Sequence, residues 1–227
     1  MVQMNKIVCY TCVTGGYDSL KEPSVVPDNI DFICFTDNMQ LQSLVWNIKP
    51  IPDDLQFLSN VKKQRVVKIC PHRYLREYDI SIWVDGNILV KGDLNKFIAQ
   101  YNLDKVPFYT RVHPKRDCIY DEMEACLRAG KDKKEIMQPQ IDKYRAEGYP
   151  EHIGMAETNI ILRKHNEPDC VKLGNLWASE LLKHSHRDQL SFNYACWKQH
   201  FLPGYLTKNA CITNNTDLFF NWSVRHG

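Results

Sequence analysis

The sequence predicts an α/β fold in which a mixed, mostly parallel sheet is flanked by helices. Three observations support this prediction. Short runs rich in β-branched and aromatic residues alternate along the chain with longer runs that have helical periodicity. Several of the short runs are apolar at consecutive positions, as strands covered on both faces are. Polar residues directly follow three of them, and sheets of this kind bind ligands at the carboxyl ends of their strands.

Six runs are predicted to be strands. They span residues 6–13, 31–37, 44–49, 79–85, 106–112 and 158–164. Helical runs fall between and after them. They span residues 59–70, 71–78, 118–130, 132–149, 168–184 and 187–200, and the fourth is expected to break near Pro139. This alternation indicates a sheet that is sandwiched between helices.

The composition is that of one compact soluble domain covering residues 1–227. Apolar residues make up 44% of the chain, enough to bury one sizeable core. The 29 basic residues nearly balance the 27 acidic ones, which argues against nucleic acid as a main partner. No apolar run approaches the roughly 18 residues of a membrane span, so no transmembrane helix is expected.

The nine cysteines show no spacing typical of a zinc site. Cys9 and Cys12 form a C-x-x-C pattern, but the residues around them have strand composition. We therefore interpret both as core residues and not as a redox pair. The apolar run over residues 6–13 is also too short for a signal peptide, so we expect a cytoplasmic protein with reduced thiols.

Polar residues and glycines follow three of the predicted strands. The first strand is followed by Thr14, Gly15, Gly16, Tyr17 and Asp18, the second by Asp37 and the fourth by Asp85, Gly86 and Asn87. Paired glycines let a backbone approach a ligand closely, as phosphate-binding turns require, but they also form ordinary turns. An aspartate is likewise a common turn former. If the strands are parallel, these residues converge at one edge of the sheet.

Asp85 and Asn87 are the most specific of these residues. They are two positions apart with Gly86 between them, so at a tight strand end both oxygens can face one divalent cation. Hard oxygen ligands suit Mg²⁺ or Mn²⁺. The run VDGNILV also resembles the start of haloacid-dehalogenase-type phosphatases. Trp83 stands where those enzymes have their nucleophilic aspartate, so that mechanism lacks its nucleophile here.

The segment YDISIWVDGNILVKGDL resembles the D-x-D segment of GT-A nucleotide-sugar glycosyltransferases. Six blocks in order are similar to one family, which is typified by the plant mucilage-galacturonan and pollen-tube transferase-like proteins and has bacterial and viral relatives. The blocks are TGGYDSLKEP, ICFTDN, KICPHRYLREYDISIWVDGNI, HPKRDCIYDE, ETNIILRKHN and HSHRDQLSFNY. Together they extend over nearly the whole chain.

The resemblance implies a GT-A-like, Rossmann-like fold that moves a sugar from a nucleoside diphosphate donor, here a UDP-sugar, to an acceptor hydroxyl on a glycan. Residues 14–18 and Asp37 would lie along the nucleotide. Asp85 and Asn87 would hold Mn²⁺ or Mg²⁺ at the D-x-D position. The matching blocks look most like those of retaining enzymes, although the sequence alone does not choose between retention and inversion.

Asn87 stands where the general motif has a second aspartate. A neutral amide binds a cation more weakly than a carboxylate does, so basic side chains would carry part of the leaving-group charge. Arg65 and Lys68 are candidates because they are three positions apart on one predicted helical face. A solvated helix face accounts for the same spacing.

The block HSHRDQ contains the candidate catalytic residues. By the resemblance, Asp188 and Gln189 face the reacting sugar. From the residues alone, Ser185 caps a helix that starts near Arg187, and Asp188 meets the helix dipole in its first turn. The cap explains the serine and the aspartate but not the glutamine.

Three histidines are further candidates for contact with the diphosphate or the metal. His184 and His186 flank Ser185, and a surface position also accounts for either of them. His226 is included because related enzymes take a metal ligand from near their C-terminus.

His113, Glu157 and Asn159 are candidates for the acceptor side, and hydrogen-bonded loops account for them equally well. Two other functions also fit the sequence: a sugar-nucleotide hydrolase and a catalytically silent glycan-binding module. Nucleotide release measured with and without an acceptor distinguishes these functions from a transferase.

Overall fold

The computed structural model describes residues 5–206 and 218–222, and nine strands and seven helices lie in these ranges. The strands are β1 (Ile7–Val13), β2 (Ile30–Thr36), β3 (Asn47–Pro50), β4 (Ile80–Val84), β5 (Ile88–Val90), β6 (Phe108–Val112), β7 (Ala156–Arg163), β8 (Gly204–Tyr205) and β9 (Phe220–Trp222). The helices are α1 (Asn60–Ile69), α2 (Pro71–Tyr74), α3 (Leu94–Ile98), α4 (Ile119–Arg128), α5 (Lys134–Ala146), α6 (Pro168–Lys183) and α7 (Asp188–Lys198).

Seven of the strands form one sheet in the order β3-β2-β1-β4-β7-β6-β8. β3, β2, β1 and β4 run parallel to one another, as do β6 and β8, whereas β7 runs antiparallel to both β4 and β6. The predicted α/β fold with a mixed, mostly parallel sheet is therefore confirmed. Because β7 runs the other way, its first residues lie at the same edge of the sheet as the last residues of β4.

Apolar layers cover both faces of the sheet. Trp83 of β4 packs in the layer that contains Trp177 of α6, and its neighbour Ile82 packs in the layer that contains Phe97 of α3 and Phe220 of β9. Successive residues of a strand point to opposite faces, so a strand buried on both sides is apolar at every position. Packing on both faces fixes the end of β4, where Asp85 follows.

The eight cysteines of the described residues are all free and buried. Cys9 and Cys12 lie in β1 and are completely buried, which confirms that they belong to the core. Among the described helices, none combines the length and the apolar character needed to cross a membrane.

The predicted helix break near Pro139 is wrong. α5 runs without interruption from Lys134 to Ala146, and Pro139 lies on its exposed side. A proline removes one helical hydrogen bond, but the buried side chains of Met137 and Ile141 anchor the helix on either side of it.

Two other predicted elements are shorter than expected. The helix predicted over residues 71–78 ends at Tyr74, and the third strand begins at Asn47. The Ser43 hydroxyl accepts hydrogen bonds from the backbone N–H groups of Val45 and Trp46, which holds the residues before the strand in a turn.

Candidate active site

A cavity of about 230 Å³ opens at the carboxyl edge of the sheet, beside the ends of β1 and β4. The strand order reverses at this pair, because β2 and β3 lie on one side of β1 and β4 lies on the other. Such switch points are where open α/β sheets bind ligands. The cavity is lined by Tyr17, Asp18, Gln64, Arg65, Lys68, Asp85, Asn87, Lys131, Glu157, Thr158, Asn159, Arg187, Asp188 and Gln189.

Arg65, Lys68, Asp85 and Asp188 form a charge cluster in this cavity. Lys68 Nζ lies 2.7 Å from Asp188 Oδ2 and 3.4 Å from Asp85 Oδ1. Arg65 reaches the same carboxylates, with 3.3 Å between its Nε and Asp188 Oδ1 and 3.7 Å between its Nη1 and Asp85 Oδ1. Lys68 is only 1% exposed, so its interpretation as part of a solvated helix face is wrong.

α1 brings the two cations of the cluster together because positions three apart share a helix face. The helix is held by the burial of Val66 and Ile69 against the core. Its backbone is also fixed, since the Tyr10 hydroxyl donates to the Lys68 carbonyl over 2.7 Å and the Arg163 guanidinium donates to the same oxygen. These bonds join α1 to β1 and β7 beside the cavity.

Asp188 is the first residue of α7 and lies almost completely buried. Thr158 of β7 donates from Oγ1 to Asp188 Oδ2 over 2.7 Å. Burial would raise the pKa of Asp188, but the adjacent Lys68 and Arg65 outweigh it and hold the pKa well below its usual range. Asp188 is therefore a fixed anion that orients two cations, and it is a poor acceptor for a proton.

The helix cap predicted at Ser185 is wrong. Arg187 is the N-cap residue of α7, and no side chain makes the capping hydrogen bond. The Ser185 hydroxyl instead accepts from the Arg187 backbone N–H over 3.1 Å and donates to Asp132 Oδ2 over 2.6 Å. Because α7 begins at Asp188 and its N-cap position is Arg187, Ser185 lies two residues too early to cap it.

Asp85 follows β4 directly and is oriented by its surroundings. Trp83 Nε1 donates to Asp85 Oδ1 over 2.8 Å, and this is the oxygen that faces Lys68. Gly86 comes next, and a Cβ at this position would lie 3.0 Å from Asp18 Oδ2. The absence of a side chain at Gly86 therefore lets the carboxylate of Asp18 approach the turn after β4.

Asp18, Asp85 and Asn87 could together hold a divalent cation. All three offer oxygen, the donor that Mg²⁺ and Mn²⁺ prefer, and all three line the same cavity. Within the part of the chain that the structure describes, no group of three His, Cys, Asp or Glu ligands forms in this cavity. The donor set thus fits a hard cation that takes its remaining ligands from an anionic molecule. His226 lies outside the described residues.

The turn after β1 borders a second cavity of about 460 Å³. This cavity is lined by Thr14, Gly15, Tyr17, Asp18, Asn60, Val61, Gln64, Arg65, Gly130, Lys131, His186 and Arg187. Gly15 and Gly16 have φ of 64° and 65°, a conformation that glycine adopts without strain. Asp37 Oδ2 accepts from the Gly15 N–H over 2.9 Å and so holds the turn. Neither Gly16 nor Asp37 lines either cavity.

Two cations that line both cavities, Lys131 and Arg187, were not predicted as site residues from the sequence. Gly130 has φ of 60° and ends the turn after α4, so Lys131 projects from a tight helix stop. Arg187 donates from Nη2 to Gln189 Oε1 over 3.2 Å, which ties the predicted catalytic glutamine to a cation. The helix stop at Gly130 was visible in the sequence, but no local pattern shows that it faces α1.

Glu157 and Asn159 of β7 line the first cavity. Arg111 Nη1 lies 2.9 Å from Glu157 Oε2 and 3.5 Å from Asn159 Oδ1. Burial raises the pKa of Glu157 above its usual range, although Arg111 opposes this. The Asn159 Nδ2 is buried and has no hydrogen-bond partner among the described residues, so it is an available donor beside the cavity.

The predicted histidines of the described residues differ in whether they border a cavity. His186 borders the second cavity, where its Nδ1 lies 3.1 Å from Asp132 Oδ2. His184 and His113 line neither cavity. His184 Nε2 lies 3.6 Å from Glu180 Oε2, and His113 Nε2 lies 3.7 Å from the buried Glu122 Oε2.

Comparison with known proteins gives one family. The sequence model described as the TOD1/MUCI70 glycosyltransferase-like domain matches residues 1–209. No curated protein matches the chain. The matched residues include both cavities and the complete charge cluster.

Proposed function

Because the chain belongs to the TOD1/MUCI70 glycosyltransferase-like domain family, we propose that it transfers a sugar from a nucleoside diphosphate donor, a UDP-sugar, to a hydroxyl group of a glycan. The observation that carries this proposal is the charge cluster at the switch point of the sheet. Arg65 and Lys68 are held there, in a cavity, by two carboxylates.

The cations around the cavity suit a diphosphate leaving group. Arg65 and Lys68 lie on α1, and Lys131 and Arg187 lie on the loops after α4 and before α7. When the bond between the sugar and the diphosphate breaks, negative charge develops on the departing phosphate. Cations that are already oriented stabilise this charge without further reorganisation. The ion pairs with Asp85 and Asp188 supply that orientation.

We assign the metal position to Asp85 and Asn87, with Asp18 beside them. These residues would hold Mn²⁺ or Mg²⁺ together with the diphosphate oxygens. When bound, the cation supplies Lewis-acid stabilisation of the leaving group. The Trp83 indole donates to Asp85 Oδ1 and so fixes the orientation of the carboxylate that would hold the cation.

The state of the carboxylates favours transfer with retention of configuration. An inverting enzyme needs a carboxylate base beside the acceptor hydroxyl, whereas a retaining enzyme can use the departing phosphate as the base. Asp188 is ionised and paired with two cations, and Glu157 is paired with Arg111. The Gln189 amide and the Asn159 amide then serve to orient the sugar hydroxyls in the cavity.

Nucleotide release from a panel of UDP-sugars tests the proposal. We expect release that requires a glycan acceptor and yields a product with the anomeric configuration of the donor, as read by nuclear magnetic resonance. Equal release without an acceptor would identify a sugar-nucleotide hydrolase. Tight glycan binding with no release under any condition would identify a binding module.

A further inference from the structure

A second group of polar side chains lies outside both cavities, at the start of α4. Cys118 is the N-cap residue of that helix, Asp121 lies in its first turn, and His152 lies in the connection between α5 and β7. Each residue offers one ligand atom, and the three atoms all lie within 4.8 Å of one another. Among residues 5–206 and 218–222, this is the one group of three such side chains.

Asp117 holds the histidine of this group in place. His152 Nδ1 lies 2.9 Å from Asp117 Oδ1, and the Gly154 backbone N–H donates to the Asp117 carbonyl over 2.9 Å. A carboxylate bonded to one ring nitrogen fixes the tautomer and leaves Nε2 to bind a metal, as in the carboxylate–histidine–zinc arrangement. The second bond holds the loop that carries the ring against the start of α4.

The chemistry of the donors selects the kind of ion. A thiolate, an imidazole and a carboxylate form a mixed set of sulfur, nitrogen and oxygen ligands, which suits Zn²⁺ and disfavours Mg²⁺ or Ca²⁺. Cys118 is the N-cap residue of α4, and its thiol makes no capping hydrogen bond.

Little movement is needed to close the group around an ion. Ligands around tetrahedral zinc lie about 3.5 Å apart, as bond lengths of about 2.0–2.3 Å require. Cys118 is buried and fixed, whereas Asp121 and His152 are exposed and can move inward. Three protein ligands leave a fourth position for water.

We propose that Cys118, Asp121 and His152 form a binding site for a zinc-class divalent cation, with Asp117 orienting the histidine. The ion joins the start of α4 to the loop before β7. None of these residues lines the candidate active site, so the proposal does not depend on the proposed function.

Cobalt titration tests this site. Co²⁺ alone is added to the metal-free full chain, and the thiolate-to-cobalt charge-transfer band is followed in the near ultraviolet. We expect one equivalent of Co²⁺ to produce the band, and one equivalent of Zn²⁺ to abolish it. The absence of a charge-transfer band in the unmodified chain would overturn the proposal.

Matched variants locate the ligand atoms. We expect Cys118→Ser and His152→Gly to weaken Co²⁺ binding at least tenfold, and glycine is chosen because His152 has φ of 53°. Asp117→Asn should weaken it about tenfold to a hundredfold, as the loss of an orienting partner does. Cys126→Ser is the control, since this buried thiol lies on the same helix and points to Glu122. The proposal would also be overturned if Cys118→Ser or His152→Gly left the charge-transfer band unchanged. The comparison requires variants that are as thermally stable as the unmodified metal-free chain.

Discussion

Lys68 Nζ lies 2.7 Å from Asp188 Oδ2, and both side chains are almost completely removed from solvent. Removing one partner of a buried ion pair leaves the other charge without compensation, which destabilises a protein far more than the loss of an exposed pair. This contact joins α1 to α7, and the same two residues lie in the candidate active site. We therefore expect stability and the proposed activity to depend on this one interaction.

We expect Lys68→Met to lower the free energy of unfolding by about 3 kcal/mol or more, because Asp188 remains buried with less positive charge around it. Combining Lys68→Met with Asp188→Asn should cost less than the sum of the two single changes. Urea unfolding of the four proteins measures this coupling. Lys172→Met is the control: its pair with Asp169 is exposed, and the change should cost less than about 1 kcal/mol. Strictly additive costs for Lys68 and Asp188 would mean that the buried pair is not coupled.

Asp188→Asn should lower turnover by roughly a hundredfold or more while donor affinity changes little. The amide keeps an acceptor for Thr158 but loses the charge that orients Lys68 and Arg65 toward the leaving group. Steady-state kinetics and donor titration separate the two effects. Asp169→Asn is the matched control, since Asp169 occupies the first turn of α6 and is exposed. A helix-dipole role alone would affect stability by about 1 kcal/mol or less in both variants and leave turnover unchanged.

The stability of the protein should fall as the pH decreases from about 6.5 to 4. Burial lowers the pKa of His165 to about 4, and Arg163 contributes to this, so on acidification the unfolded chain takes up the proton first. Burial likewise lowers the pKa of His72 to about 4. Within this window, each histidine lowers the free energy of unfolding by up to about 1.4 kcal/mol per unit decrease in pH. Above the window, the contribution of each histidine to stability is fully present.

Urea unfolding between pH 7.5 and pH 4 measures this dependence. His165→Gln should flatten it, because glutamine does not titrate but can still donate to the Leu75 carbonyl that His165 Nε2 contacts. The same slope in the variant and the unmodified protein would show that His165 is not a source of the pH dependence.

Asn87→Asp should tighten Mn²⁺ binding when no donor is present, because it adds a negative charge next to Asp85 and Asp18. The same charge repels the diphosphate, so we expect turnover to fall. Calorimetric titration of Mn²⁺ gives the affinity. The experiment is repeated in the Cys118→Ser background so that an ion at the start of α4 is not counted. Unchanged affinity would mean that Asn87 shapes the turn and does not bind the metal.

Metal binding should also appear in the effect of the donor on thermal stability. A UDP-sugar that binds only the folded chain raises the melting temperature by mass action. We expect a larger increase with Mn²⁺ than with a chelator, because the diphosphate oxygens would supply the remaining ligands of the cation and the cation would hold the diphosphate. The same increase in both conditions would remove the metal from the proposed site.

Local patterns were enough to predict six of the nine described strands and the cations of α1, whereas the short strands β5, β8 and β9 were not predicted. β1, β2 and β4 are apolar runs that end in polar residues, and parallel strands bring such ends together. Arg65 and Lys68 could be predicted to share a face from their spacing alone. The burial of Lys68 and the pairing of both cations could not, because they involve Asp188, which lies more than a hundred residues later in the chain.

Residues contributed by distant loops escaped prediction. Nothing near Lys131 or Arg187 in the sequence shows that two loops meet over α1. The group at Cys118 has no zinc-type spacing for the same reason, since His152 comes from a different loop. Pro139 shows the opposite effect, because core packing of the neighbouring residues maintains a helix that the local sequence disfavours.

The short sheet of β5 and β9 affects the time order in which the site is assembled. Ile88, which directly follows the turn at Asp85–Asn87, pairs with Trp222, and a Cβ at Gly92 would lie 2.3 Å from the Leu218 carbonyl. Pairing between segments this distant in sequence has a high contact order and forms slowly. During synthesis, β4 leaves the ribosome long before β9 does. We therefore expect the turn that carries Asp85 to acquire its final support in a late folding step, after the large sheet has formed.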